Sequence, residues 1–126
     1  MPRFRRVIDM ASGEQAMVPF TAEEEAAADA ASAAEIAAYL PAAIKDECRR
    51  RIFAVANETA QMNMASHAAA GLFDAGKHAA YLAALTWVAE MRAACAALIA
   101  AADAAFLNDD AWPACPPDAA ALAANY

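Results

Sequence analysis

The chain has 126 residues, a formal net charge of −7 and a hydrophobic fraction of 62%. This length fits one domain, and the acidic balance argues against nucleic acid or an anionic membrane as the main partner. Much of the hydrophobic fraction is alanine, which favours helix but buries little area, so we expect part of the stability to come from partner chains.

The first segment, residues 1–20, differs in character from the rest of the chain. Two short apolar runs lie on either side of Ser12 and Gly13, which predicts a β-hairpin. An isolated two-stranded hairpin is marginal in water and needs a surface to lie on. We therefore interpret this segment as a docking element, and its candidate docking residues are Phe4, Val7, Val18 and Phe20.

An alanine-rich helix is predicted over residues 22–39. Thr21 and Glu24 have the spacing of a capping box at its start. Pro41 predicts the end of this helix and the start of another. The alanine face either lies in solvent or packs closely against a neighbouring subunit, and the scarcity of polar residues favours the second interpretation.

The next predicted helix extends from Pro41 to a C-cap near Gly71. Apolar and small residues recur in it at steps of four and three, as in the contact face of a coiled coil. Our candidate oligomer-interface residues on this face, which we call the seam, are Ile52, Val55, Thr59 and Met62. Polar residues nearby either set the register between subunits or face solvent; they are Asn57, Gln61 and Asn63, together with Thr59 itself.

A third helix is predicted from a cap at Asp74 through residues 75–107. It carries two apolar stripes and therefore has two neighbours, the preceding helix in an antiparallel hairpin and a second element. Further candidate interface residues on it are Leu85, Val88 and Ile99. In the remaining segment, 109–126, Trp112 is predicted to anchor the tail on the helices, which makes it a further docking candidate, and a short helix starts at Pro117.

The expected fold class is thus mainly α, a short N-terminal β-hairpin followed by an antiparallel helical hairpin or bundle that self-associates. We divide the chain into the docking segment 1–20, the helical part 21–108 and the C-terminal tail 109–126. A symmetric bundle around the seam favours a trimer.

The sequence contains no motif that supports catalysis, cofactor binding or metal binding. His67 lies three residues from Met64, but two such residues are too few ligands for a soft metal. Asp109 and Asp110 lack a general acid or base partner, and the chain's serines lack a nucleophile motif. We expect no enzyme activity, no catalytic, cofactor-binding or metal-binding residues, and no cofactor.

The three cysteines, Cys48, Cys95 and Cys115, lack the close spacing of a metal site. Cys48 and Cys95 fall on apolar helix positions and are expected in the core, consistent with synthesis in a reducing cytoplasm. We expect neither a signal peptide nor insertion into a membrane, because the apolar run 93–102 is short and is bounded by charges.

Three parts of the chain together resemble small tail proteins of tailed bacteriophages. They are VPFTAEEEAAADA (18–30), IKDECRRRIFAVANETAQMNMA (44–65), and a tryptophan-containing helix, matching at 85–88 and 91–92, that is followed by a Trp-Pro loop at 110–113. The resemblance is to siphovirus-like tail-fibre and distal tail proteins associated with the baseplate. It implies a structural virion protein, made in the host cytoplasm, that docks on a larger tail or baseplate protein, and the alanine bias suits a high-GC host. A tail-fibre assembly chaperone that is not retained in the virion is the alternative.

Overall fold

The structure, a computed structural model, describes residues 2–126 and has the expected mainly α fold with an N-terminal hairpin. Its contacts divide the chain into two compact units, Met1–Ala38 (unit 1) and Tyr39–Tyr126 (unit 2). The three-part division made from the sequence stays a prediction. In the described part of the chain, the strands are β1 (Phe4–Ile8) and β2 (Gln15–Pro19), and the α-helices are α1 (Ala22–Val55), α2 (Glu58–Ala69), α3 (Ala75–Ala101) and α4 (Pro117–Ala123).

The two strands form the predicted antiparallel hairpin, with Phe4 opposite Pro19 and Ile8 opposite Gln15. The turn closes because the amide of Gly13 donates to the Asp9 carbonyl at 2.7 Å, with Gly13 at a φ of +75°. This left-handed conformation is open to glycine at little cost. Backbone amides of the turn also donate to the Asp9 carboxylate and hold its pKa below the usual value.

The capping box at the start of α1 is confirmed. The Glu24 amide donates to the Thr21 hydroxyl at 3.2 Å, and the Thr21 amide donates to the Glu24 carboxylate at 2.8 Å. The predicted helix break at Pro41 is wrong, because α1 continues through this residue to Val55. Proline leaves only one carbonyl without its helical donor, that of Ala37, and Ala37 is exposed and open to water.

The helical chain breaks instead at Ala56 and Asn57, inside the stretch predicted to be one helix. The Asn57 side chain accepts the Ala60 amide at 2.9 Å and caps α2. The Gln61 side-chain amide donates to the free carbonyl of Ala56 at 2.8 Å. Two of the four polar residues in this stretch therefore bond to the backbone at the break, while Thr59 and Asn63 are exposed.

The remaining helix ends lie closer to the positions predicted from the sequence. Gly71, at a φ of +68°, follows the last turn of α2, and Asp74 accepts the Lys77 amide as the N-cap of α3. α3 ends at Ala101, before the predicted residue 107, with Ala102 in the left-handed conformation. α4 begins at Pro117, as predicted.

The core of unit 2 lies between α1, α3 and the C-terminal tail. α1 and α3 pack antiparallel, since Cys48 contacts the Met91 carbonyl while Ile52, further along α1, lies beside Val88, earlier in α3. Ten buried side chains form this cluster: Leu40, Ile44, Cys48, Ile52, Trp87, Met91, Cys95, Leu98, Phe106 and Trp112. A second, smaller cluster of Met64, Leu122 and Ala123 joins α2 to α4.

By length and composition alone, α3 could cross a membrane. It has 27 residues and contains an 18-residue window with a mean hydropathy of 1.5. The core helix of a soluble protein passes the same test, and Trp87, Met91 and Leu98 of α3 lie in the core of unit 2. The absence of membrane insertion stays a prediction.

Candidate interaction surfaces

The hairpin of unit 1 has one face that is mostly apolar and open to solvent. Side chains alternate between the faces of a strand, and directly paired residues share a face. We define the outer face by this register as Phe4, Arg6, Ile8, Gln15, Met17 and Pro19. Phe4, Ile8 and Met17 on it are 51%, 49% and 62% exposed, which leaves three large apolar side chains in water on one small surface.

The opposite face of the hairpin is tied to the first turns of α1 within unit 1. Arg3 bonds to Glu25 and Asp29 at 2.7 Å, and Arg5 pairs with Glu24. The Arg3 backbone amide also donates to Glu25 at 2.8 Å, and this bond contributes most to lowering the pKa of that carboxyl. Arg3 and Arg5 are thus partners of the acidic helix start, whereas Arg6 lies on the outer face.

The docking residues predicted from the sequence do not share one surface. Phe4 is on the outer face, while Val7 and Val18 are on the face that carries Arg5, and Phe20 is half-buried. Trp112 is only 7% exposed and lies in the core of unit 2. Sequence reasoning missed Ile8 and Met17 as members of the outer face, although the alternation that starts at Phe4 points to both of them.

The seam is not one continuous surface either. Because the helix breaks at Asn57, Ile52 and Val55 belong to α1, whereas Thr59 and Met62 belong to α2. Ile52 is buried in the chain's own core, and Val55 packs against it. Met62 is 71% exposed and Thr59 is exposed. The prediction that these four residues share one helix face is therefore wrong.

The candidate residues of α3 also divide. Val88 and Ile99 pack against the core cluster, whereas Leu85 is 50% exposed. Leu85 and Val88 line an apolar groove of about 300 Å³ between the end of α1, α2, α3 and α4. A second groove, of about 360 Å³, shares Ile52, Gln61, Val88 and Arg92 with the first.

The tail is held on the helices as the sequence predicts. The Trp112 indole N–H donates to the Phe106 carbonyl at 2.6 Å, and the Trp87 indole N–H donates to the Pro113 carbonyl at 3.0 Å. Each buried indole therefore has its polar group satisfied. Trp112 acts as the expected anchor, but it does so inside unit 2.

A charged cluster supports this anchor from α1. Glu47 is 7% exposed and accepts from Arg50 and from Arg51, the latter at 2.8 Å. The Arg51 guanidinium also donates to the Asp109 carboxylate at 2.9 Å, and its central carbon lies 5.7 Å from the centroid of the Trp112 ring. The bonds from Arg50, and then those from Arg51, hold the pKa of Glu47 below its usual value, so the carboxylate stays charged in its buried position.

Two of the three thiols lie in the core, as expected. Cys48 and Cys95 are buried, and the Cys48 thiol contacts the Met91 carbonyl at 3.7 Å. Burial, and then the neighbouring Cys95, raise the pKa of Cys48 to about 11. Cys48 is therefore a protonated thiol at neutral pH and a poor nucleophile.

The His67 side chain packs in an aromatic cluster. Its ring lies 5.9 Å from Phe73 and 4.9 Å from Tyr126, and Nδ1 is 2.9 Å from the Asn63 carbonyl. In residues 2–126, no group of three or more His, Cys, Asp or Glu side chains is placed to hold a metal ion.

Comparison of the chain with models of protein families, with curated proteins and with solved structures gives no match.

Proposed function

We propose that this protein is a non-catalytic structural component that works by docking on another protein, and that it belongs to the tail of a tailed bacteriophage. The observation that carries the docking role is the outer face of the hairpin, which exposes Phe4, Ile8 and Met17. Scattered exposed apolar residues are ordinary, but here three lie on one face of a small hairpin, with Met17 diagonal to both Phe4 and Ile8.

The rest of unit 1 supports the same role. None of residues 2–38 is buried, so the hairpin draws no stability from a core of its own unit. Burial of the outer face on a larger protein would supply the missing apolar contact, and the unpaired strand edges offer backbone hydrogen bonds to an added strand.

The viral role is supported by the resemblance in sequence at residues 18–30, 44–65, 85–92 and 110–113. In this role the hairpin docks on a larger tail or baseplate protein, while the helices associate with other copies of the chain.

Mass spectrometry of purified particles from the strain that encodes the protein tests this function. We expect the chain at a fixed number of copies per particle relative to a major tail protein. Met17→Asp should lower that number, because it places a charge in the docking surface. Leu107→Asp, at a position of unit 2 that is 65% exposed, is the matched control and should leave the number unchanged.

Finding the chain in the infected-cell lysate but not in particles would contradict a structural role in the virion and favour the assembly chaperone. Normal incorporation of the Met17→Asp chain would place the docking surface elsewhere.

A further inference from the structure

The part of α1 within unit 2 has an exposed stripe, which borders the second groove at Arg49 and Phe53. It consists of Tyr39, Ala42, Asp46, Arg49 and Phe53, and we call it the α1 stripe. All five are exposed, Tyr39 at 65% and Phe53 at 37%. The buried residues of the same helix, Leu40, Ile44, Cys48 and Ile52, lie on the opposite side.

The stripe has the spacing of a helix-pairing surface. Its members follow one another at steps of three, four, three and four, the repeat that keeps one face of a helix against a second helix. The seam predicted from the sequence has the same period but faces inward at Ile52. The period therefore recurs on a face whose residues are exposed to solvent and which borders the second groove at one end.

The charges of the α1 stripe are complementary to themselves when two copies run antiparallel. Asp46 then faces Arg49 of the partner subunit, and the reciprocal pair forms by symmetry. In the same register, Phe53 lies over Ala42 of the partner subunit, so that each large side chain meets a small one. A parallel pair would instead place like charges opposite one another.

Both charges are free for such a contact. In the described residues 2–126, no ion pair or side-chain hydrogen bond includes Asp46 or Arg49, whereas the neighbouring Arg50 and Arg51 are bonded to Glu47. Bonding of Asp46 and Arg49 between subunits thus breaks no contact within the chain.

We infer that the α1 stripe binds the same stripe of a second copy, giving an antiparallel two-fold dimer centred between Asp46 and Arg49. The inference deepens the proposed association between copies and names its surface. It does not depend on what the hairpin docks on. The resulting unit is a dimer, in place of the trimer that the sequence favours.

Two charge variants of the full chain test this dimer by sedimentation or light scattering over a range of concentrations. Asp46→Arg makes both positions basic, and Arg49→Asp makes both acidic, so each variant repels its own copies. We expect the wild type to be dimeric, and we expect the dimer dissociation constant of each variant to be at least tenfold higher than that of the wild type. An equimolar mixture of the two variants should recover the dimer, because every contact then joins an arginine to an aspartate.

Recovery on mixing separates a lost contact from a lost fold, since a misfolded chain is not rescued by another variant. Glu58→Arg and Lys77→Asp, at exposed positions outside the stripe, are the matched controls and should leave the mass of the wild type unchanged. A monomeric wild type, or two variants whose mixture shows no more dimer than either alone, would overturn the proposal. Particle incorporation of the Met17→Asp chain reports on the docking role separately.

Discussion

The two units of this chain share one helix and differ in what that helix packs against. Over Ala22–Ala38, α1 buries no residue, whereas from Leu40 onward it buries Leu40, Ile44, Glu47, Cys48 and Ile52. Alanine occupies ten of residues 22–38 but only three of residues 39–55, so the part with the higher helix propensity is the part without buried residues. Unit 2 adds large apolar side chains at steps of four and a partner helix, α3. Both parts are helical, and the burial differs because only the second part carries large apolar residues that pack against α3.

The comparison has a functional counterpart. Unit 2 buries a ten-residue apolar core and satisfies the indole N–H groups of both tryptophans, although Met62, Leu85 and Leu107 stay exposed. Unit 1 ties its hairpin to α1 through ion pairs and leaves Phe4, Ile8 and Met17 in water. Exposed ion pairs contribute little to stability, so in the proposed function unit 1 gains most of its order from the protein that covers its outer face.

The largest expected effect comes from removing the anchor of unit 2. Trp112→Ala deletes a buried ring and its hydrogen bond to the Phe106 carbonyl. We expect the free energy of unfolding to fall by about 3–5 kcal/mol, measured by denaturant titration. Leu107→Ala, at an exposed neighbouring position, is the control. A loss below 1 kcal/mol in the Trp112 variant would contradict the assigned core.

The charged cluster gives a smaller effect with a defined pH dependence. Because the folded pKa of Glu47 lies below its unfolded value, its contribution is present above the ordinary glutamate pKa and is lost as pH falls through the lowered value. Glu47→Gln should cost about 2–3 kcal/mol at neutral pH and flatten the loss of stability in acid. Tryptophan fluorescence follows this transition, since both tryptophans, Trp87 and Trp112, lie in unit 2. If the Glu47→Gln chain unfolded in acid at the same pH as the wild type, protonation of Glu47 would not be the cause of that unfolding.

Pro41 tests the continuity of α1. Pro41→Ala restores an amide donor for the Ala37 carbonyl, and we expect it to stabilise the helix by up to about 3 kcal/mol. Slower amide exchange near residue 41, with the core of unit 2 unchanged, would be the signature. Faster exchange would show that the proline is required for the local backbone conformation.

The smallest expected effect is confined to unit 1. Thr21→Ala removes one side of the capping box and should cost the helix start about 1 kcal/mol. Amide exchange over residues 22–25 should accelerate, while the fluorescence transition of unit 2 stays in place. A shift in that transition would show that the two units unfold together.

Local signals in the sequence predicted local structure well. The Ser12-Gly13 turn, the caps at Thr21 and Asp74 and the start of α4 at Pro117 each depend on residues close together in the chain. The helix break at Asn57 had a similar signal, an N-cap residue followed by a glutamate, but the apolar period across it favoured one helix. Pro41 shows the reverse error, since a strong local breaker is accommodated inside α1.

The interaction surfaces were harder to predict for a physical reason. A period of 3.5 residues shows that a helix face is covered, but not whether the covering helix belongs to the same chain. Ile52 has the period of an interface and lies in the core, while Phe53, the next residue, lies on the exposed stripe. Side-chain alternation likewise shows which hairpin residues share a face, but not which of the two faces lies toward α1. The ion pair of Arg5 with Glu24 determines that face.

Amide hydrogen exchange of the full chain in solution tests most directly the claim that unit 2 carries its own core while unit 1 depends on a partner. Amides of Trp87, Met91 and Leu98 should exchange only on unfolding of unit 2, and those of β1 and β2 should exchange orders of magnitude faster. Equal protection of the hairpin and the α3 core in the isolated chain would contradict the account, because the hairpin would then be stable without anything covering its outer face.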